Sequence, residues 1–125
     1  MTAKTPEDVD RLFGERFNGG DVEGLVALYE PGATLVTQDA GTLIGHAAIR
    51  DYLSRMTVTK AQIDMGTSRV VPAGDDLAVV HHDWQATVTA ADGQHVAMSG
   101  KATEVVRRQS DGRWLFALDD PNMRG

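Results

Sequence analysis

Two Asp-Gly pairs, Asp92-Gly93 and Asp111-Gly112, punctuate the second half of the chain and limit what it can become more than any other feature. Glycine in such a pair accepts the positive φ that a tight hairpin turn demands, and each pair here separates runs rich in β-branched and aromatic residues. Residues 77–90 (LAVVHHDWQATVTA), 94–109 (QHVAMSGKATEVVRRQ) and 113–119 (RWLFALD) are therefore expected to form a three-stranded antiparallel meander. The first of these strands carries His81-His82-Asp83-Trp84. Side chains alternate along a strand, so His81 and Asp83 share one face while His82 and Trp84 share the other.

The first half reads differently. Thr5-Pro6-Glu7-Asp8 has the form of a helix start, with a hydroxyl N-cap, proline where no N–H is missed, and acids in the first turn. Val9, Leu12, Phe13 and Phe17 follow as one apolar stripe, with Asp10, Arg11, Glu15 and Arg16 mostly on the other faces. Asn18-Gly19-Gly20 ends that helix and Asp21 can cap a second, whose Val22, Leu25, Val26 and Tyr29 again fall at helical spacing before Pro31-Gly32 stops it. Residues 33–38 read as a short strand, followed by a turn at Asp39-Ala40-Gly41. Gly45-His46 leads into a third helix with Ile49, Tyr52, Leu53 and Met56 on one face, and residues 61–71 look like one more strand.

Helices at the front and antiparallel strands at the back predict an α+β fold: a curved antiparallel sheet packed against three N-terminal helices, in one domain spanning residues 1–125. Long strands of this kind twist and curl. A curled sheet capped by amphipathic helices makes a cone, and a cone commonly encloses a cavity.

Composition excludes several function classes. A formal charge of -6 argues against nucleic acid and against an anionic membrane surface, both of which call for a basic patch. Cysteine is absent, so disulfides, thiolate metal sites and thiol nucleophiles are excluded. The opening MTAKTPEDVD lacks the apolar stretch of a signal peptide, and no run approaches the ~18 apolar residues of a membrane span, so a cytoplasmic location is expected. No Ser-His-Asp order, phosphate-binding glycine loop or nucleotide fingerprint is present.

The runs FNGGDVEGLVALYEPGATLV, IGHAAIRDYL and GKATEVVRRQSDGRWLFALDD resemble the nuclear transport factor 2-like (cystatin-like) superfamily, and within it the ketosteroid isomerases and SnoaL-like cyclases, from about Val9 to Asp120. That resemblance implies the cone-shaped α+β fold and a pocket, in a superfold that hosts many unrelated tasks. Carried over position by position, the isomerase tyrosine is Phe13 here, which has no hydroxyl. The isomerase base is Thr37, with Asp39 two residues on, and the third catalytic position falls near Thr103 or Glu104. Steroid isomerase chemistry, which needs both a base and oxyanion donors, is thus not expected. The resemblance also places Ala78, Val80, His82 and Trp84 toward the cavity. It places Leu77, Val79, His81 and Asp83 on the outer sheet face, through which a homodimer is implied.

His82 is accordingly the first candidate for acid/base work, since histidine titrates near working pH; the alternative is a space-filling residue with one hydrogen bond. Asp119 is a second candidate, at a rim where SnoaL-like cyclases carry a carboxylate; the alternative is a strand-ending turn at Asp119-Asp120-Pro121. Asp39 offers the same choice between a base at the mouth and a turn residue. Trp84, Phe13, Thr37, Tyr52, Thr103 and Val80 are the expected pocket lining, an apolar wall with a few polar groups. His46 and His95 are read as surface residues. No metal or other cofactor is expected: His81, His82 and Asp83 point apart and cannot close on one ion without ligands from other elements. Two functions remain open. One is acid/base isomerisation, cyclisation, dehydration or hydration of a small hydrophobic molecule; the other is a non-catalytic dimerising or carrier module that has lost the isomerase residues.

Overall fold

Thr5 does cap the first helix, its hydroxyl accepting the Asp8 N–H at 3.3 Å, and with Pro6 in the first turn α1 runs Pro6–Asn18. In the computed structural model, which describes residues 2–39 and 41–122, the remaining elements are α2 (Val22–Val26), β1 (Tyr29–Val36), β2 (Thr42–Ile44), α3 (His46–Thr57), β3 (Gln62–Asp64), β4 (Arg69–Pro72), β5 (Leu77–Thr89), β6 (His95–Arg108) and β7 (Trp114–Asp120). The seven strands form one curved, unclosed sheet in the order β2-β1-β7-β6-β5-β3, with β4 also pairing β5. This is the α+β architecture expected, with one correction. β1 and β7 pair in parallel, so the sheet is mixed rather than purely antiparallel.

The meander holds throughout. β5 and β6 pair over their whole length, from Leu77↔Arg107 to Thr89↔His95, and β6 pairs β7 with Glu104 opposite Asp119. The turn residues Gly93 and Gly112 have φ of 84° and 89°, as Asp-Gly hairpins require.

Three boundaries differ from expectation. Asp21 caps α2, accepting the Gly24 N–H at 2.9 Å, but the helix stops at Val26 and Tyr29 begins β1 instead of completing the apolar stripe. Pro31 could not have served a longer helix, and extended backbone lets Tyr29 pack its ring 4.9 Å from Phe116. The expected strand over 61–71 is two, β3 and β4, separated by residues 65–68. β2, only three residues long, was not anticipated. Ala40, at the centre of the expected turn, lies outside the described residues.

The core fills the space between helices and sheet with Val9, Leu12, Phe17, Leu25, Ile49, Leu53, Val80, Val106 and Phe116 among others. Burying such side chains stabilises by roughly 1.5–3 kcal/mol each. Toward the mouth of the cone the packing stops and a cavity begins.

Candidate functional site

The cavity has a volume of about 810 Å³. Phe13, Phe17, Leu35, Leu53, Met65 and Trp84 supply apolar wall, and His82, Glu104 and Asp119 supply the polar groups at the closed end. Alternation on β5 sets this arrangement. Ala78, Val80 and His82 are buried, while Leu77, Val79 and His81 are half-buried on the outer face and Asp83 is exposed there. Because β5 and β6 are in register with His82 opposite Ala102, Glu104 shares the inner face with His82.

His82 is 3% exposed and Glu104 2%. The imidazole Nδ1 lies 2.7 Å from the Met65 carbonyl oxygen, which can only accept, so Nδ1 carries a proton. That leaves Nε2 facing the Glu104 Oε2 at 2.8 Å, with the Asp10 Oδ1 at 3.7 Å. The other Asp10 oxygen accepts from the Ser68 hydroxyl at 2.8 Å. Asp10 Oδ1 and Glu104 Oε1 are buried with no hydrogen-bond partner among the described residues, and Asp10, Glu104 and His82 each place one polar atom within 4.8 Å of the others. Burial raises the Glu104 carboxyl well above the ordinary range, reinforced by Asp10 and by the Asp119 charge.

Asp119, opposite Glu104 on β7, accepts the Tyr29 hydroxyl at 2.6 Å. Burial raises it to about 7, against the lowering effect of the Tyr29 bond. Burial and the Asp119 charge push Tyr29 well above 10, so its hydroxyl stays a donor. The closed end thus holds two neighbouring sets of titratable side chains: the His82–Glu104 pair with Asp10 beside it, and the Asp119–Tyr29 pair.

Of the residues expected at the site, His82, Asp119, Trp84, Phe13, Thr37, Tyr52 and Asp39 all line the cavity. Asp39 is exposed and accepts the Thr37 hydroxyl and, at 3.2 Å, the Gly41 N–H. Those bonds hold its carboxyl below the ordinary range, the state of a turn-building carboxylate at the mouth. Three expectations are corrected. Thr103 faces outward, bonded to the His81 Nδ1 at 3.1 Å, because the inward position of that pair of residues is Glu104. Val80 points inward but lies below the cavity, fully buried in the packed core. His46 is half-buried rather than on the surface, its Nε2 bonded to the Tyr29 carbonyl at 2.7 Å.

Asp10 was missed altogether. A signal was there: with Phe13, Gly14 and Phe17 it forms an i, i+3, i+4, i+7 set, and all four are buried. Asp10, His82 and Glu104 also place one donor atom each within 4.8 Å of the others, from α1, β5 and β6, which is the ligand set from separate elements that a cation would need. The 2.8 Å separation of Nε2 and Oε2 is that of a direct hydrogen bond.

Trp84 closes one side. Its Nε1 donates to the Pro121 carbonyl at 2.8 Å, and its ring lies against Gly100, where a β-carbon would stand 2.6 Å from the ring carbons.

Solved structures share this architecture over most of their length. A ketosteroid isomerase-like protein from Erwinia carotovora atroseptica has a TM-score of 0.80 at 20% identity, covering 91% of this chain and 89% of that one. A dehydratase candidate of the nuclear transport factor 2-like family from Streptomyces avermitilis gives 0.78 at 20%, covering 92% of each. A cystatin-fold relative from Novosphingobium aromaticivorans gives 0.79 at 17%, covering 95% and 80%. No curated protein matches the sequence. The sequence profile of the SnoaL-like domain matches residues 9–116, most of the chain, and the protein belongs to that family, with the fold these structures share.

Proposed function

We propose that the protein catalyses proton transfer on a small hydrophobic organic molecule held in the cavity, and that dehydration, with hydration as its reverse, is the reaction the site suits best. The observation that carries this reading is the buried His82–Glu104 pair, 2.8 Å apart at the closed end of an apolar cavity and beside a second titratable carboxyl, Asp119. Elimination of water needs a base for a C–H proton and an acid for the departing hydroxyl. With Nδ1 protonated, the Nε2/Oε2 pair can take up or release a proton across its own 2.8 Å hydrogen bond. Asp119, poised near 7, serves as the partner of opposite role. Isomerisation and cyclisation use the same two groups and are the nearest variants. The inner lining holds no lysine or arginine among the described residues; Arg55, at the mouth, is paired to Asp51 at 2.9 Å. The part of the substrate that reaches the closed end is therefore uncharged, a hydroxyl or carbonyl rather than a carboxylate or phosphate. A carrier role would suit an apolar cavity with His82 outside it, and His82 is inside.

The test is turnover of a panel of neutral aromatic and alicyclic β-hydroxyketones, followed by loss of the hydroxyl as a new conjugated absorbance. Glu104→Gln and His82→Ala are expected to lower turnover by about 10²–10⁴-fold, with binding, read from Trp84 fluorescence, changed far less. Chelator treatment is expected to leave turnover unchanged. If His82→Ala altered neither affinity nor turnover, the reading would be wrong.

A homodimer through the outer sheet face and a cytoplasmic location belong to the same proposal. Supporting the dimer, the apolar side chains Leu77, Val79, Val105 and Leu118 stand together on that face, each half-buried. Light scattering is expected to give twice the 13.5 kDa chain mass, and a Val79→Lys variant to give the monomer.

A further inference from the structure

We propose that the four residues between β3 and β4, Met65 to Ser68, are a positioning device that fixes the proton on His82 Nδ1 and holds the Asp10 carboxyl beside the His82–Glu104 pair. This rests on the acid/base reading above.

The registers reveal a bulge. β3 pairs β5 with Asp64 opposite Gln85, and β4 pairs β5 with Arg69 opposite His81. Residues 65–68 therefore face only 82–84, one residue too many on the edge strand. A β-bulge of this kind breaks the ladder locally and re-aims the groups beside it. In an uninterrupted pair the edge-strand carbonyls would lie in the sheet plane, engaged with or turned away from β5 N–H groups. An inward ring nitrogen of β5 would not meet one. The bulge turns the Met65 carbonyl to the inner face, where it receives the His82 Nδ1–H at 2.7 Å.

The same segment supplies the Ser68 hydroxyl that Asp10 accepts. One irregularity thus contacts two of the three clustered groups, from outside the strands and helix that carry them.

Gly66 makes the bulge possible. Its φ is 66°, its N–H is held by Asp64 Oδ1 at 2.9 Å, and a β-carbon there would collide with the Asp83 carbonyl oxygen. Only glycine combines that backbone with so close an approach to β5.

The consequence is a defined tautomer. Wherever the ring is neutral, the proton is on Nδ1 and the lone pair of Nε2 faces Glu104; with the opposite tautomer Nε2 would have no lone pair with which to accept from the Glu104 hydroxyl.

The experiment is a long-range ¹H–¹⁵N correlation on the full chain labelled in its four histidines, with His82 assigned by the loss of its signals in His82→Gln. A slowly exchanging Nδ1–H on His82 is expected in the native protein. Gly66→Ala is expected to lose that protected proton. Ser68→Ala, which leaves the bulge in place, is expected to keep it. Gly74→Ala imposes similar strain, at φ 77° with open space around it, and is expected to keep it too. A native ring protonated on Nε2 alone would overturn the proposal, as would a folded Gly66→Ala with the Nδ1–H undiminished. If Gly66→Ala fails to fold, the native spectrum still decides. No turnover enters these readouts. A wrong tautomer in a protein whose turnover needs Glu104 sinks only this inference, while the expected tautomer with no turnover across the panel sinks the functional reading.

Discussion

Burial lifts the Asp119 carboxyl from 3.8 to about 7, opposed by the Tyr29 bond and aided by the Asp10 and Asp120 charges. The folded chain thus holds a proton that the unfolded chain releases near pH 4. Stability contributed by that proton is complete below pH 4 and is lost as pH rises to about 7, and Glu104 carries the decline further. Asp119→Asn keeps an acceptor for Tyr29 and removes the titration. It is expected to be more stable than the native protein at pH 8, by on the order of 1–4 kcal/mol, and near parity at pH 4, with urea unfolding at both values as the check. A destabilised Asp119→Asn at pH 8 would mean that the carboxylate, not the acid, is the favoured form. The inward side of His82 was readable from strand alternation together with the resemblance, while Asp119 stood as a candidate from the resemblance, weighed against a strand-ending turn. Asp10 was not readable, because an acid in a helix is ordinarily a solvated one, although its spacing to Phe13 and Phe17 marked the buried face. Glu104 was left level with Thr103, although counting back from the Ala90–Gln94 turn would have paired it with Val80 and turned it inward.

Among the elements, those whose causes are local were legible. The caps at Thr5 and Asp21 and the Asp-Gly turns stand where short-range chemistry puts them. The end of α2 was not legible, because Tyr29 is drawn into β1 by contacts with Phe116 and Asp119, the latter 90 residues away in sequence. The bulge at 65–68 was hidden for a similar reason: it is defined only by what stands opposite it on β5. One link between elements is directly testable. The Asn18 side chain donates to the Ile63 carbonyl at 2.9 Å and accepts the Ile63 N–H at 2.7 Å, occupying the free edge of β3 as a neighbouring strand would. Asn18→Ala is expected to cost about 1 kcal/mol and to speed Ile63 amide exchange selectively, a change that unaltered exchange would refute.

For the whole molecule, cavity size depends on Gly100. A β-carbon there meets the Trp84 ring and the Asn122 side chain at 2.6 Å, so Gly100→Ala must push the indole toward the cavity. Affinity for the bulkiest ligands is expected to fall before that for small ones, measured by thermal shift against a size series. The parallel pairing of β1 with β7 has a further consequence, one of timing. β7 is the last strand in chain order, yet it lies inside the sheet, between β1 and β6. While the polypeptide is being synthesised, β1 has β2 on one side and an open flank on the other, and the Tyr29 hydroxyl has no acceptor, until residue 119 has been made. The helices and β1 must therefore wait as an incomplete layer, and the cavity gains its closed end only in the final step of assembly. Any nascent or truncated chain lacking that strand would expose the flank of β1 to other chains, so aggregation during synthesis, rather than slow catalysis, is the expected penalty for damage to β7.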